Sequence, residues 1–197
     1  FNQILVLFGL LLRKFNLRPP GGFVFSSPYE NSKSVKNIAK QNNIPYFTLK
    51  DFNNLKLFKF LDNTRPELIL CCSFNKLIPK QIIDKAKWYA INIHPGLLPQ
   101  RGGGTPNRWA VLLGDKHIGV TAHIMSAKFD TGEIIFQNRI PINNIVTWGE
   151  AENLISPLIL KILKKVLISF HNSVNLITKS QNNQTNLMKS LKYNNLR

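Results

Sequence analysis

Three polar residues, Asn92, His94 and Asp130, have the types and the spacing that could carry out chemistry. In an extended strand, side chains two residues apart project to the same face, so Asn92 and His94 stand side by side. A carboxamide next to an imidazole suits a carbonyl oxygen that gains negative charge. A carboxylate such as that of Asp130 can orient the imidazole and raise its pKa. The residues predict a site that acts on a carbonyl group, with a purely structural Asn–His pair as the alternative.

The stretch that follows His94 is rich in glycine and proline. Pro95 ends the strand and leaves His94 at its carboxyl end, the edge at which open α/β sheets form ligand crevices. Gly102, Gly103 and Gly104 then form a tightly turned loop whose backbone can approach a ligand closely. This is not a Walker phosphate loop, because no Gly-Lys-Ser/Thr follows the glycines.

Apolar segments of two types alternate along the chain, which is the pattern of an α/β protein. Short β-branched or aromatic runs predict strands over residues 22–27, 44–48, 67–74, 89–94, 120–125 and 133–138. Helical spacing predicts helices over residues 31–41, 54–63, 79–87, 106–113 and 151–170. We expect Pro157 to kink or restart the last helix. The pattern predicts an open, mostly parallel sheet with helices on both faces, with 67–74 central and 44–48 at an edge.

The two ends of the chain are less regular than its middle. Leu5, Phe8 and Leu12 have helical spacing, yet the same stretch also resembles a first strand. The chain starts on Phe1, which raises a truncated N-terminus as an alternative to a complete one. Residues 171–197 contain no Asp or Glu and many Asn and Gln. We therefore expect residues 1–170 to form the core and residues 171–197 a loosely ordered polar tail.

Composition excludes several classes of protein. The chain has 197 residues, of which 44% are hydrophobic and 18% charged, as is typical of a globular domain. Its longest apolar run, residues 4–12, is shorter than the ~20 residues that span a membrane. Basic residues follow this run instead of preceding it, so it does not have the pattern of a signal peptide. Cys71 and Cys72 are adjacent and badly placed to form a disulfide, and no Cys/His cluster has zinc-site spacing. We expect no metal and a reducing, cytoplasmic compartment.

The net charge of +16 raises the question of a polyanionic partner. The basic residues are spread along the chain and form no dense run with interleaved aromatic residues. This distribution favours a generally basic surface over nucleic acid as the main ligand. A nucleic-acid partner stays the alternative, and its affinity would fall steeply with salt.

Several short motifs within residues 91–137 give the sequence a family resemblance. In chain order they are Asn92-Ile93-His94-Pro95, Leu97-Leu98-Pro99, Gly114-Asp115, Gly119-Val120-Thr121 and Phe129-Asp130-Thr131-Gly132. Together they resemble the folate-dependent formyltransferases, the family of methionyl-tRNA formyltransferase, glycinamide ribonucleotide transformylase and the sugar-amine N-formyltransferases. A weaker resemblance extends back to about residue 22. Gly96 departs from the pattern, since the family commonly has serine before Leu-Leu-Pro.

The resemblance implies a Rossmann-like core that takes a formyl group from 10-formyltetrahydrofolate and passes it to a primary amine. By this resemblance Asn92 and His94 polarise the formyl oxygen, while Asp130 orients His94 and helps the amine lose its proton. The implied folate-binding residues are Phe74, Leu77, Ile78, Pro79, Ser126, Ala127 and Lys128. The implied substrate loop consists of Leu98, Pro99, Arg101, Gly102, Gly103 and Gly104.

Chain length favours a small acceptor within this family resemblance. The extra C-terminal domain with which tRNA formyltransferases hold their substrate has no room after the core, so we expect an amino-sugar nucleotide as acceptor. Methionyl-tRNA and glycinamide ribonucleotide are the alternatives. A basic RNA-binding or degenerate formyltransferase-like module without turnover is the alternative of another class. No membrane partner is expected, and the sequence does not set the oligomeric state.

Other conspicuous residues are expected to have plainer roles. His123 lies on the predicted strand 120–125, where a structural or pocket-lining role is favoured over catalysis. Cys71 and Cys72 are predicted to be small buried hydrophobic residues. Arg101 and Arg108 flank the glycine loop and suit either an anionic group of a ligand or solvent.

Overall fold

A computed structural model describes most of the middle of the chain and parts of both ends. The described residues are 4–8, 23–26, 37, 39–41, 43, 45–48, 55–72, 74, 76–142, 147–172, 175–181 and 187–188. The chain divides into two compact units, Phe1–Asn92 and Ile93–Arg197. The boundary between them falls inside a single strand.

Within its described residues, the first unit contains four strands and the start of a fifth. They are β1 (Ile4–Phe8), β2 (Phe23–Ser26), β3 (Tyr46–Thr48), β4 (Leu68–Cys72) and β5 (Tyr89–His94), hydrogen-bonded in the order β3-β2-β1-β4-β5. β1 runs parallel to β2 and to β4, and β2 runs parallel to β3. All five residues of β4 are buried, as the predicted central position requires. β3 lies at the edge, where Pro45 before it removes no hydrogen bond from the sheet.

The ambiguous N-terminal stretch is a strand, because residues 4–8 pair with strands on both sides instead of forming a helix. The next predicted helix, over residues 31–41, is represented by residues 37 and 39–41, which are helical. α1 (Leu55–Thr64) follows, and it buries Leu57 and Leu61 on one face because residues four apart lie above each other on a helix.

α2 (Lys80–Ile83) is shorter than the sequence predicts. The expected helix over residues 79–87 is wrong beyond residue 83. The backbone N–H groups of Lys87 and Trp88 donate instead to the carbonyls of Pro66 and Glu67, just before β4. These bonds between distant residues draw the chain out of the helix and into β5.

The second unit contains an antiparallel strand pair and the longest helix. β7 (His117–Ile124) pairs with β8 (Ile134–Pro141), and the register shifts between Ala122 and His123. A short helix, α3 (Pro106–Leu112), precedes β7. Two very short strands, β6 (Gly102–Gly103) and β9 (Leu187–Met188), pair in parallel.

α4 (Trp148–His171) begins three residues before the predicted helix over residues 151–170. Its start is fixed by Thr147, whose side chain accepts from the Glu150 N–H while the Glu150 side chain accepts from the Thr147 N–H. The helix continues through Pro157, so the predicted restart there is wrong. No helix in the described parts of the chain, α4 included, is long and apolar enough to cross a membrane.

Candidate active site

His94 occupies the last position of β5 and is buried, with 4% of its surface exposed. Its Nε2 lies 2.7 Å from the carbonyl oxygen of Arg101. A carbonyl oxygen only accepts, so Nε2 must carry the proton and donate this bond. The basic nitrogen of the neutral ring is therefore Nδ1, which lies 3.6 Å from Oδ1 of Asp130. The structure thus places two of the three sequence-predicted catalytic residues together.

Asp130 is buried in the turn between β7 and β8. Its Oδ2 accepts the backbone N–H of Gly103 at 2.7 Å. The backbone of Asp130 has φ of 53°, in the left-handed region that non-glycine residues seldom adopt. A residue keeps such a conformation only when its surroundings hold it there. The contacts of Asp130 therefore decide where its carboxylate points.

His123 presents a second imidazole to the same carboxylate. It follows the register shift in β7, and its Nδ1 lies 2.8 Å from the carbonyl of Ile124. Nε2 of the same ring lies on the Asp130 side, 3.4 Å from Oδ1, and is the hydrogen-bond partner of that carboxylate. Oδ1 thus lies between ring nitrogens of two imidazoles. We call this group of His94, His123 and Asp130 the His–Asp–His cluster.

The charges of the cluster follow from burial and from these contacts. Burial alone would raise the pKa of Asp130, but the hydrogen bond with His123, the neighbouring His94 ring and the Gly103 N–H lower that pKa to about 2. Burial lowers the pKa of His94 below its usual value and outweighs the opposing effect of Asp130. At neutral pH the cluster therefore combines an ionised carboxylate with a neutral His94 ring, the state that can accept a proton.

Asn92 precedes His94 by two residues on β5 and is half-buried. Ile91 and Ile93, which alternate with them, are fully buried. Strand geometry places Asn92 and His94 on one face and the two isoleucines on the other. The strand therefore keeps the predicted spacing of an amide and an imidazole.

Gly96 allows the loop after β5 to fold back on His94. A Cβ at this position would lie 2.6 Å from the Arg101 carbonyl oxygen and 2.7 Å from Nε2 of His94. The Gly96 carbonyl in turn accepts the hydroxyl of Thr121 at 2.7 Å. The departure from serine noted in the sequence has a physical reason here, because any side chain would enter the space between the ring and the carbonyl it binds.

We expect Gly96→Ala to lower both stability and turnover. The added methyl group must displace the Arg101 carbonyl or the His94 ring, and overpacking of this kind costs about 1–3 kcal/mol. Urea denaturation and steady-state kinetics measure the two effects. Gly149→Ala is the matched control, because a Cβ at Gly149 meets no atom within 4 Å. Equal stability of Gly96→Ala and the parent chain would contradict the prediction.

The predicted substrate loop is tied to β7 and β8. Leu98 is buried, its N–H donates to Oγ1 of Thr121, and its carbonyl accepts the side-chain amide of Gln137. Pro99 is half-buried and follows Leu98 through a cis peptide bond. Gly102 and Gly103 form β6, and half-buried Gly104 follows them.

The two arginines beside this loop have partners within the protein. Arg101 forms a two-point ion pair with Asp115. Arg108 is 9% exposed, and its guanidinium stacks over the ring of Trp148 at 4.5 Å. These contacts favour a structural role for both, while contact with an anionic ligand group stays a prediction.

The predicted folate residues fall in both units. In the first unit, Phe74 and Pro79 are half-buried, Ile78 is buried and Leu77 is 43% exposed. In the second unit, Ser126 is half-buried, while Ala127 and Lys128 are exposed. The Ser126 hydroxyl donates to the Lys128 carbonyl at 2.9 Å, which holds this loop in a defined turn.

Sequence reasoning missed Gln181, which lies in the predicted loose tail. Its side-chain amide donates to the carbonyl oxygens of Asp130 and Gly132, at 3.0 and 2.6 Å. A glutamine in a polar segment has no periodic pattern that marks it, so only the folded chain identifies this contact. Within the described residues, no group of His, Cys, Asp and Glu has the arrangement of a metal site.

Comparison with known proteins identifies the family. The sequence profile described as formyl transferase matches residues 22–167. Methionyl-tRNA formyltransferase of Clostridium perfringens is 32% identical over 122 residues, which cover 61% of this chain and 40% of that protein. The profile match spans most of the chain, so the protein belongs to the formyl transferase family. The chain spans less than half the length of this curated relative.

Solved structures agree on the fold. Phosphoribosylglycinamide formyltransferase from Streptococcus pneumoniae superposes with a TM-score of 0.74 at 23% identity, over 87% of this chain and 99% of that one. A sugar N-formyltransferase from Shewanella sp. gives a TM-score of 0.73 at 20% identity, over 95% of this chain and 76% of that one. The predicted open, mostly parallel sheet with helices is therefore confirmed.

Proposed function

We propose that this protein transfers a formyl group from 10-formyltetrahydrofolate to a primary amine. The observation that carries the proposal is the pairing of Nδ1 of His94 with Oδ1 of Asp130 at 3.6 Å, with Nε2 of the same ring fixed on the Arg101 carbonyl. Membership of the formyl transferase family supports the same chemistry.

Proton balance assigns a task to this pair. Formyl transfer between two nitrogens forms one C–N bond and breaks another, so the acceptor nitrogen loses a proton and the nitrogen of the leaving molecule gains one. Nδ1 of His94 can take the first proton because Nε2 already donates its own to Arg101. Asp130 stabilises the imidazolium that forms, as a neighbouring carboxylate does. The cluster can then return the proton to the leaving nitrogen.

Asn92 is proposed to stabilise the charge that develops on the formyl oxygen. Its position on β5, two residues before His94, directs its amide to the face that His94 occupies. A fixed N–H donor aimed at a developing oxyanion typically contributes a factor of ~100 or more in rate. The imidazolium that forms when Nδ1 of His94 takes the amine proton adds positive charge on the same face of β5. This retains the polarising role that the family resemblance implies.

We also propose that the predicted folate segment of the second unit, residues 126–128, contacts the formyl donor. An exposed apolar side chain suits a flat heteroaromatic ring, and Phe129, which follows this segment, is 41% exposed. For the first unit, contact of Phe74, Leu77, Ile78 and Pro79 with the donor stays a prediction. In the second unit, the turn held by Ser126 presents backbone groups beside Phe129. 10-Formyltetrahydrofolate supplies the activated formyl carbon.

For the acceptor we propose the amino group of methionyl-tRNA ahead of an amino-sugar nucleotide. The identity to a methionyl-tRNA formyltransferase favours it, and a generally basic surface with a net charge of +16 is compatible with a polyanionic substrate, although the charge by itself does not select one. The preference for a small acceptor depended on chain length, which carries no weight in a chain that spans 40% of this relative. The amino-sugar nucleotide stays a prediction that the same assay tests.

The test incubates the full chain with 10-formyltetrahydrofolate and one of three amines: methionyl-tRNA, a nucleotide-linked amino sugar or glycinamide ribonucleotide. Mass spectrometry of the amine measures formylation, and we expect it with methionyl-tRNA and its loss in His94→Ala. Formylation of another of these amines would identify that amine as the acceptor and would still support formyl transfer. If no amine is formylated while RNA binds with a steep dependence on salt, the protein is a binding module and the proposal fails.

A further inference from the structure

A polar segment after α4 lies against the turn that carries Asp130. Nε2 of Gln181 donates its two hydrogens to the backbone carbonyls of Asp130 and Gly132. These carbonyls stand on either side of Thr131, so one amide group spans the turn. Without Gln181, the carbonyl of buried Asp130 would lose this hydrogen bond, and its unusual backbone conformation would lose a support.

The position of Gln181 is set by backbone pairing two residues earlier. Lys179 and Ile134 exchange both of their backbone hydrogen bonds, each 2.8 Å long, in an antiparallel bridge at the start of β8. The Thr178 hydroxyl also donates to the Glu133 side chain at 2.6 Å. The bridge fixes the register of the segment, and the register places residue 181 next to the turn.

A second contact from the C-terminal part of the chain involves Gly103, whose N–H binds the Asp130 carboxylate. β9 pairs in parallel with β6, and Gly103 of β6 donates its N–H to Oδ2 of Asp130. The C-terminal end therefore contacts both the backbone of Asp130, through Gln181, and the loop that binds its carboxylate, through β9. Two independent contacts converge on one residue of the cluster.

We propose that Gln181 is a positioning residue that holds the Asp130 carboxylate between His94 and His123. The expected effect on turnover rests on the formyl transfer proposed above. The contact of Gln181 with the turn does not depend on that proposal, because it is observed in the folded chain. In this view the side chain of Gln181, and not the rest of the segment that carries it, acts on the cluster through the turn at Asp130.

The expected effect follows from how little displacement the cluster tolerates. The titratable groups that face the carboxylate are the rings of His94, on β5, and His123, on β7, at 3.6 and 3.4 Å. Release of the turn lengthens these contacts and the bond from Gly103. Misplacement of a catalytic group by about 1 Å can cost ~100-fold in rate. A side chain that only filled space would leave these distances unchanged.

The test compares two variants of matched shape. Gln181→Met keeps the length of the side chain and removes both donors, while Thr178→Val removes a neighbouring hydrogen bond that does not reach Asp130. We expect Gln181→Met to lower kcat by ~10-fold or more while KM for the folate stays within about twofold. Thr178→Val should match the parent chain in both.

A second measurement needs no turnover. NMR titration of the Asp130 carboxyl carbon in the full chain should give a higher pKa in Gln181→Met than in the parent, since weaker contacts with Gly103 and His123 favour the carboxylate less. An unchanged titration overturns the inference even if the protein proves to formylate nothing, and an equal loss of kcat in Thr178→Val also overturns it. If Gln181→Met does not fold, Gln181→Asn, which is one methylene shorter, is subject to the same two measurements.

Discussion

Replacement of His94 by alanine is expected to lower kcat by ~100-fold or more, because it removes the proposed acceptor of the amine proton and the positive charge that the protonated ring would place near the formyl oxygen. KM for the folate should change far less, since the ring acts on the reacting atoms and not on the body of the ligand. Steady-state kinetics with a formylated amine as product measures both constants.

The control for this variant is His171→Ala. His171 is exposed at the end of α4 and makes no contact with the cluster, so its removal should leave kcat within about twofold of the parent value. Thermal unfolding separates a chemical loss from a folding loss, and His94→Ala should still unfold cooperatively. Turnover of His94→Ala within a few-fold of the parent chain would remove the imidazole from the mechanism.

Asp130→Asn is the second large effect, again with an expected loss of ~100-fold or more in kcat. The amide keeps the size of the carboxylate but cannot stabilise an imidazolium on His94. Asp130 is the contact that raises the pKa of His94 against the effect of burial, so this pKa should fall further in the variant. The acid limb of the residual activity is therefore expected at lower pH than in the parent. A limb at the same pH would show that the carboxylate does not act on His94.

The same variant tests the stability that the carboxylate contributes. The pKa of Asp130 is lowered from 3.8 to about 2 in the folded chain, so its stabilising effect is complete above pH ~4 and is lost as the pH falls toward 2. A shift of this size corresponds to roughly 2 kcal/mol in the free energy of unfolding. Urea titrations at several pH values should show a smaller acid loss in Asp130→Asn. Asp84→Asn, at an exposed site of the first unit, should follow the parent chain.

The sequence predicts the parts of the site that local patterns encode. The alternation around Asn92 and His94, ended by Pro95, defines β5 with the observed bounds. The buried run of β4 and the edge position of β3 follow equally from apolar continuity and from proline. Such features depend on residues that are neighbours along the chain, and for that reason a single sequence shows them.

Other parts depend on residues that meet only in the folded chain. The chain leaves α2 early because backbone N–H groups of Lys87 and Trp88 bind carbonyls about twenty residues earlier in sequence. The hydrophobic periodicity of the sequence does not indicate these bonds. His123 reaches Asp130 after a register shift in β7, a device that redirects one side chain without changing the strand pattern. Gln181 contacts a turn about fifty residues away. The sequence could suggest the chemistry of the cluster but not which backbone groups fix its tautomers.

The bond between the His94 ring and the Arg101 carbonyl joins two points seven residues apart in sequence. The span between them folds back on the ring, and a Cβ at Gly96 inside it would meet both the Arg101 carbonyl and the ring. Insertions or deletions there would leave the imidazole without its anchor, whereas replacement of outward-facing side chains would not. Variants that exchange residue types within the existing span should therefore keep this contact, and variants that change its length should lose it.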